Sequence, residues 1–132
     1  MFFPAANGFT ALGDFITMQI ASGGNSDNIT FSAPADFSSL VSLGAILIPG
    51  GNDAAWDIDI ASDYGAVGQA YNTHSQADAA TTYNLTLNQL YELDLSGIYT
   101  NLAAGDYCGL TITNNDGTDD IYVIGVRLVY NY

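Results

Sequence analysis

One histidine, one cysteine and one arginine stand among fourteen Asp and Glu, and the 132 residues include no lysine. Enzymatic chemistry asks for a nucleophile with its base, a carboxylate pair with separated pKa values, or a metal. His74 is the single candidate base for a Ser–His or zinc arrangement. It lies in Asn72-Thr73-His74-Ser75, a loop context where a histidine more commonly fixes the chain. Cys108 sits in the alternating run Asp106-Tyr107-Cys108-Gly109-Leu110, with no cation nearby in sequence to lower its pKa. It reads as a small buried apolar residue, and a lone cysteine closes no intrachain disulfide.

The carboxylates are numerous enough for a glycosidase pair, with Asp57, Asp59, Asp63 and Glu92 as nominees. Alternation, however, places Asp57 and Asp59 opposite Trp56, on a solvated strand face. Calcium is the better polar hypothesis, because Asn114, Asn115, Asp116, Asp119 and Asp120 put hard oxygen donors in one loop. The EF-hand spacing fails, since Gly117 would set Ile112 at the first ligand position. A polar turn explains the loop more simply, with Asp116, Asp119 and Asp120 kept as weak metal candidates and no cofactor assigned. The sequence therefore reads as that of a protein without catalytic residues.

Among nine tyrosines, Tyr64 and Tyr71 fall in a polar, Ala-rich stretch with His74. These three are the candidates for contact with a ligand or partner, and Trp56 joins the tyrosines in a sugar-stacking reading. Tyr107, Tyr122 and Tyr130 alternate with apolar neighbours and read as half-buried strand packing. Arg127, among Val126, Leu128 and Val129, is expected to pair with an acid.

The net charge of −13 removes whole classes of partner. One cation cannot neutralise a run of phosphates, which excludes general nucleic-acid binding and attraction to anionic membranes. With 48% hydrophobic residues the chain is nonetheless no disordered acidic tail. Its length suits one domain. The start, Met1-Phe2-Phe3-Pro4-Ala5-Ala6, lacks the basic and long apolar regions of a signal peptide, and no apolar run approaches a membrane span.

The elements that would position these residues are strands. Residues 1–13, with Phe2, Phe3, Pro4 and Phe9, read as an extended apolar arm that serves as an interface. Residues 14–132 read as one antiparallel β-sandwich of about eight strands. Trp56, Ile58 and Ile60 against Asp57 and Asp59 give the clearest period of two. Residues 62–80 read as a long excursion, and Ser96 as the cap of one helical turn. Asp116-Gly117 reads as a type I′ hairpin joining paired strands 107–113 and 121–130.

Three stretches carry a resemblance: Leu47-Ile48-Pro49 before the Trp-containing strand; Asp63-Tyr64-Gly65-Ala66 with Tyr71-Asn72-Thr73-His74; and Leu102-Ala103-Ala104-Gly105-Asp106-Tyr107 with Ile124-Gly125-Val126-Arg127-Leu128. Together, over roughly residues 30 to 130, they resemble small jelly-roll-like β-sandwich domains of structural proteins in tailed bacteriophages and environmental viruses. The resemblance implies a non-enzymatic virion component on the capsid exterior, made in the host cytoplasm. The form expected first is a capsid decoration (cement) protein that bridges capsomers, with the major capsid protein and copies of itself, as a homotrimer, for partners. The alternative is a carbohydrate- or receptor-binding adhesion module with a glycan partner. No catalytic residue comes with the resemblance; Gly105 and Gly125 would be glycines required by the backbone, and Asp106 a turn residue.

Overall fold

The computed structural model describes residues 1–6 and 9–132, with side chains for all of these except residues 9 and 79–81. Ten strands appear among them: β1 (Phe2–Pro4), β2 (Phe9–Leu12), β3 (Phe15–Ile20), β4 (Asn25–Ser32), β5 (Ser39–Pro49), β6 (Asp53–Gly65), β7 (His74–Leu85), β8 (Tyr91–Asp94), β9 (Tyr107–Asn114) and β10 (Ile121–Asn131). One sheet runs β2-β3-β10-β5-β8, with β1 also paired to β10; the other runs β4-β9-β6-β7. From β3 onward the chain changes sheet at every connection except the β6–β7 turn. That order, β3-β10-β5-β8 facing β4-β9-β6-β7, is a jelly roll. The eight expected strands are these eight, and β1 and β2 are additions from the leading segment.

The layers close because one side of each strand is apolar. Trp56, Ile58, Ile60 and Tyr64 of β6 and Cys108, Leu110 and Ile112 of β9 bury against Leu43, Ala45 and Leu47 of β5 and residues of β10. In β10 the inward set changes from Ile121 and Val123 to Val126 and Leu128. A register shift between Val123 and Gly125 makes the switch, as an inserted residue exchanges the two faces of a strand. A line of ring contacts runs through the core from Phe3 to Phe31, Tyr99, Tyr64 and His74, with centroids 4.9–5.6 Å apart.

The leading segment is extended, but it belongs to its own sheet instead of standing free. Phe2, Phe3 and Pro4 pair with Arg127, Val126 and Gly125. The Met1 ammonium donates to the Leu128 carbonyl at 2.9 Å, and Ala5 is buried. Gly125 permits this approach: a Cβ there would collide with the Phe3 carbonyl and sit 2.7 Å from the Phe2 ring. Phe9 takes part in β2, which pairs with β3, and its side chain lies outside the described ones.

Three local expectations are corrected. Strands β9 and β10 are not a hairpin; they lie in different sheets, and Gly117 is not at positive φ. The Asn114 side chain turns the chain across, donating to the carbonyls of Ile20 (3.1 Å) and Asp119 (2.9 Å). The excursion at 62–80 shrinks to residues 66–73, because β6 continues to Gly65 and β7 starts at His74. Ser96 caps nothing: a three-residue 3₁₀ turn spans Ser96–Ile98, and Asp94 Oδ1 accepts the Ser96 N–H at 2.9 Å.

Candidate functional site

The outer face of the four-stranded sheet carries a recess closed at one end by the β6–β7 loop. Strand register sets its floor. Tyr107 lies beside Gly65; Thr30, Gly109, Asp63 and Ser75 form the next row across all four strands; Asn28, Thr111, Ala61 and Ala77 form the row after that. Because side chains alternate, these are the residues opposite Phe31, Cys108, Leu110 and Tyr64 of the core. Gly109 and Ala61 on the two central strands lower the floor, with Asp63 and Thr111 beside them and Thr30, Asn28 and Ser75 on the outer strands.

Two contiguous recesses of about 400 and 260 Å³ make up this trough, and Asp63 and Gly109 line both. The β6–β7 loop walls the larger one. Its backbone is fixed by two tight turns, with Gln69 N–H to Ala66 O at 3.0 Å and Thr73 N–H to Ala70 O at 3.1 Å. Tyr71 on this loop is 79% exposed and Tyr107 at the start of β9 is 59% exposed, so two phenol rings flank one end. Asp63 is half-buried, and its carboxylate makes no hydrogen bond or ion pair among the described residues. The protein's arginine is on the other sheet, where Arg127 meets Glu92 at 3.4 Å with both side chains exposed. Such a surface pair contributes about 0–1 kcal/mol.

The other expected site residues are occupied elsewhere. Tyr64 is fully buried, where its hydroxyl donates to Gln76 Oε1 (2.8 Å) and accepts the Asn101 N–H (3.0 Å). Trp56 is also buried and donates to Asn114 Oδ1 at 2.9 Å. Neither can stack on a sugar. His74 is no loop residue: it opens β7, half-buried, with its ring against Tyr64. Asp59 and Asp57 face outward as expected but are half-buried. Asp59 Oδ2 accepts from Asn115 Nδ2 at 2.9 Å, and Asp57 Oδ1 is enclosed without a partner.

The calcium candidates spend their oxygens on the β9–β10 connection. Asp116 Oδ2 accepts the N–H groups of Asp119 (2.7 Å) and Thr118 (3.1 Å). Desolvation works to raise the Asp116 pKa, but bonds from the Asp119 N–H, Asp53 and Thr118 outweigh it and hold the carboxyl below the usual value. Asp119 Oδ2 accepts the Thr118 hydroxyl at 3.3 Å. Asp120 accepts Gln19 Nε2 (2.6 Å) and the Ser22 N–H (3.0 Å), tying β3 and the β3–β4 turn to the start of β10. Among the described residues no three His, Cys, Asp or Glu side chains converge as metal ligands.

No protein-family profile matches the sequence, and a comparison with curated proteins finds no match. Two solved structures are similar in fold. One is the carbohydrate-binding module TmCBM61 in complex with β-1,4-galactotriose, at TM-score 0.49 and 8% identity over 88% of this chain and 70% of that one. The other is infectious bursal disease virus, Gx strain, at TM-score 0.45 and 14% identity over 83% of this chain and 27% of that one. At such identities the likeness concerns the fold alone.

Of the residues lining the recess, the sequence singled out Tyr71 for ligand or partner contact and read Tyr107 as half-buried strand packing, whereas Tyr107 is exposed. Tyr107 alternates with buried Cys108, so its outward direction was readable; what the sequence hid was the neighbouring loop that makes a recess beside it. Burial pushes the Cys108 thiol up to about 12, Asp106 adds to this and a backbone bond at Ala33 opposes it, in keeping with a structural cysteine.

Proposed function

We propose that this chain is a non-enzymatic binding module that takes a carbohydrate in the trough on its four-stranded sheet. The observation that carries the reading is the juxtaposition of Tyr71 and Tyr107, both exposed, beside a floor of Gly109, Thr111 and Ala61 on the two central strands, edged by Thr30 and Asn28 of β4 and Ser75 and Ala77 of β7. Sugar rings offer flat C–H faces to phenols and hydroxyls to small polar side chains, and this surface supplies both. The test is a glycan array with the native chain and with Tyr71→Ala and Tyr107→Ala. Both rings are exposed, so each truncation should alter stability by no more than about 0.5 kcal/mol. Affinity for the retained oligosaccharide should fall about tenfold. Loss of neither, or an array with no hit, contradicts the reading.

A second reading, a virion component seated on a capsid as a decoration protein, draws support from the opposite sheet. Exposed Phe15 lines a recess of about 390 Å³ with Leu12, Asp14, Ile48 and Asn88, and Ile16, Leu87 and Leu90, exposed as well, stand within two residues of this lining in sequence. An apolar rim of this kind suits a seam with another protein. Because β1 is engaged in its own sheet, the rim replaces the arm as the surface for that seam. Phe15→Asp should abolish attachment to the source particle, and retained attachment would remove this reading.

A further inference from the structure

We infer that the trough selects its glycan by charge, favouring sugars with a free amine over acetylated ones and turning away uronates, through Asp63. This deepens the carbohydrate reading and rests on it. Asp63 is the charged residue common to both halves of the trough, and its half-buried carboxylate lacks a hydrogen-bond partner among the described residues. Every other polar group around it, from Thr30, Asn28, Ser75 and Thr111, is neutral. Asp59 and Asp57 continue along the same side of β6, so negative potential extends beyond the recess. The protein's arginine pairs with Glu92 on the six-stranded sheet and offers no counter-charge here.

A carboxylate in this position has two ways to gain a partner from a glycan. Both hydroxyls and an ammonium can donate to the carboxylate, but only the ammonium brings a positive charge of its own and so adds an ion pair to the hydrogen bond. A uronate brings like charge against Asp63 and finds no donor of positive charge in the trough. The recess thus discriminates by what it lacks as much as by what it holds.

Calorimetric titration with three tetramers of matched length tests this: glucosamine, N-acetylglucosamine and galacturonate. At low salt the glucosamine tetramer should bind about tenfold more tightly than its acetylated counterpart, with galacturonate weakest. In Asp63→Asn the ratio of amine to acetyl affinity should fall to about one. Glu92→Gln, which removes the same charge from the opposite sheet, should leave the ratio as it was. Equal affinities in the native chain, or a preference that survives in Asp63→Asn, overturns the role of Asp63 while the trough remains a sugar site. No binding of any tetramer, together with an empty glycan array, overturns the site and this inference together.

Discussion

Asp63 and Gly109 are adjacent across strands, and the space between them decides whether the trough is open. A Cβ at Gly109 would lie 3.5 Å from the Asp63 carbonyl oxygen, an ordinary contact, so the backbone accepts a side chain there. Gly109→Val should therefore fold with a Tm close to native, since valine favours strands, yet lose oligosaccharide binding by more than about tenfold as its methyls fill the floor. Thermal melting and titration of the same sample read the two effects apart. Asp116 makes a different kind of prediction. Its carboxyl titrates below its unfolded value of 3.8. A lowered folded pKa means the folded state holds the proton less tightly, so the stabilisation is complete above pH 3.8 and disappears as pH falls through the folded value. Asp116→Asn should cost about 1 kcal/mol at neutral pH. Its urea midpoint should then decline less steeply than native as the pH is taken below about 3.8.

Strand β1 shows how one glycine admits an element. With Gly125 the chain's first residues close against β10, and the N–H groups of Ala5 and Leu128 bond to the carbonyls of Ile124 (2.9 Å) and Met1 (2.8 Å). A methyl at Gly125 would press on the Phe3 carbonyl and stand 2.9 Å from the Pro4 Cα. Gly125→Ala should displace β1, lower stability by about 2 kcal/mol, and speed hydrogen exchange at Ala5 and Leu128 while β6 and β9 stay protected. Unchanged exchange at those two amides would show that β1 is not held this way. The clearest strands were legible because they carry a period of two: Trp56 to Ile60 and Tyr107 to Thr113 read directly as half-buried strands. Their partners were not legible. Asp116-Gly117 has the composition of a hairpin turn, yet Asn114, buried and bonded to Ile20, sends the chain to the other sheet. Likewise the polar side chains of His74 to Asp78 concealed an edge strand, whose outer residues face solvent.

At the scale of the molecule, the jelly-roll layout gives the protein two unlike sheet faces. The four-stranded sheet turns out small and polar residues with two tyrosines, and the six-stranded sheet turns out an apolar rim with the Arg127–Glu92 pair. Composition alone shows a strongly acidic chain with one arginine and no lysine. It did not forecast the trough, because a recess is made by residues far apart in sequence: Thr30, Asp63, Tyr71 and Tyr107 meet only once β4, β6 and β9 are in register. Mapping backbone amide shifts during titration with a neutral oligosaccharide tests the central claim most directly. Shifts confined to the trough, at Thr30, Asp63, Tyr71, Tyr107 and Gly109, with the six-stranded sheet silent, are the predicted result. Saturating ligand that leaves those amides unmoved, or moves only the rim around Phe15 and Ile48, would contradict it.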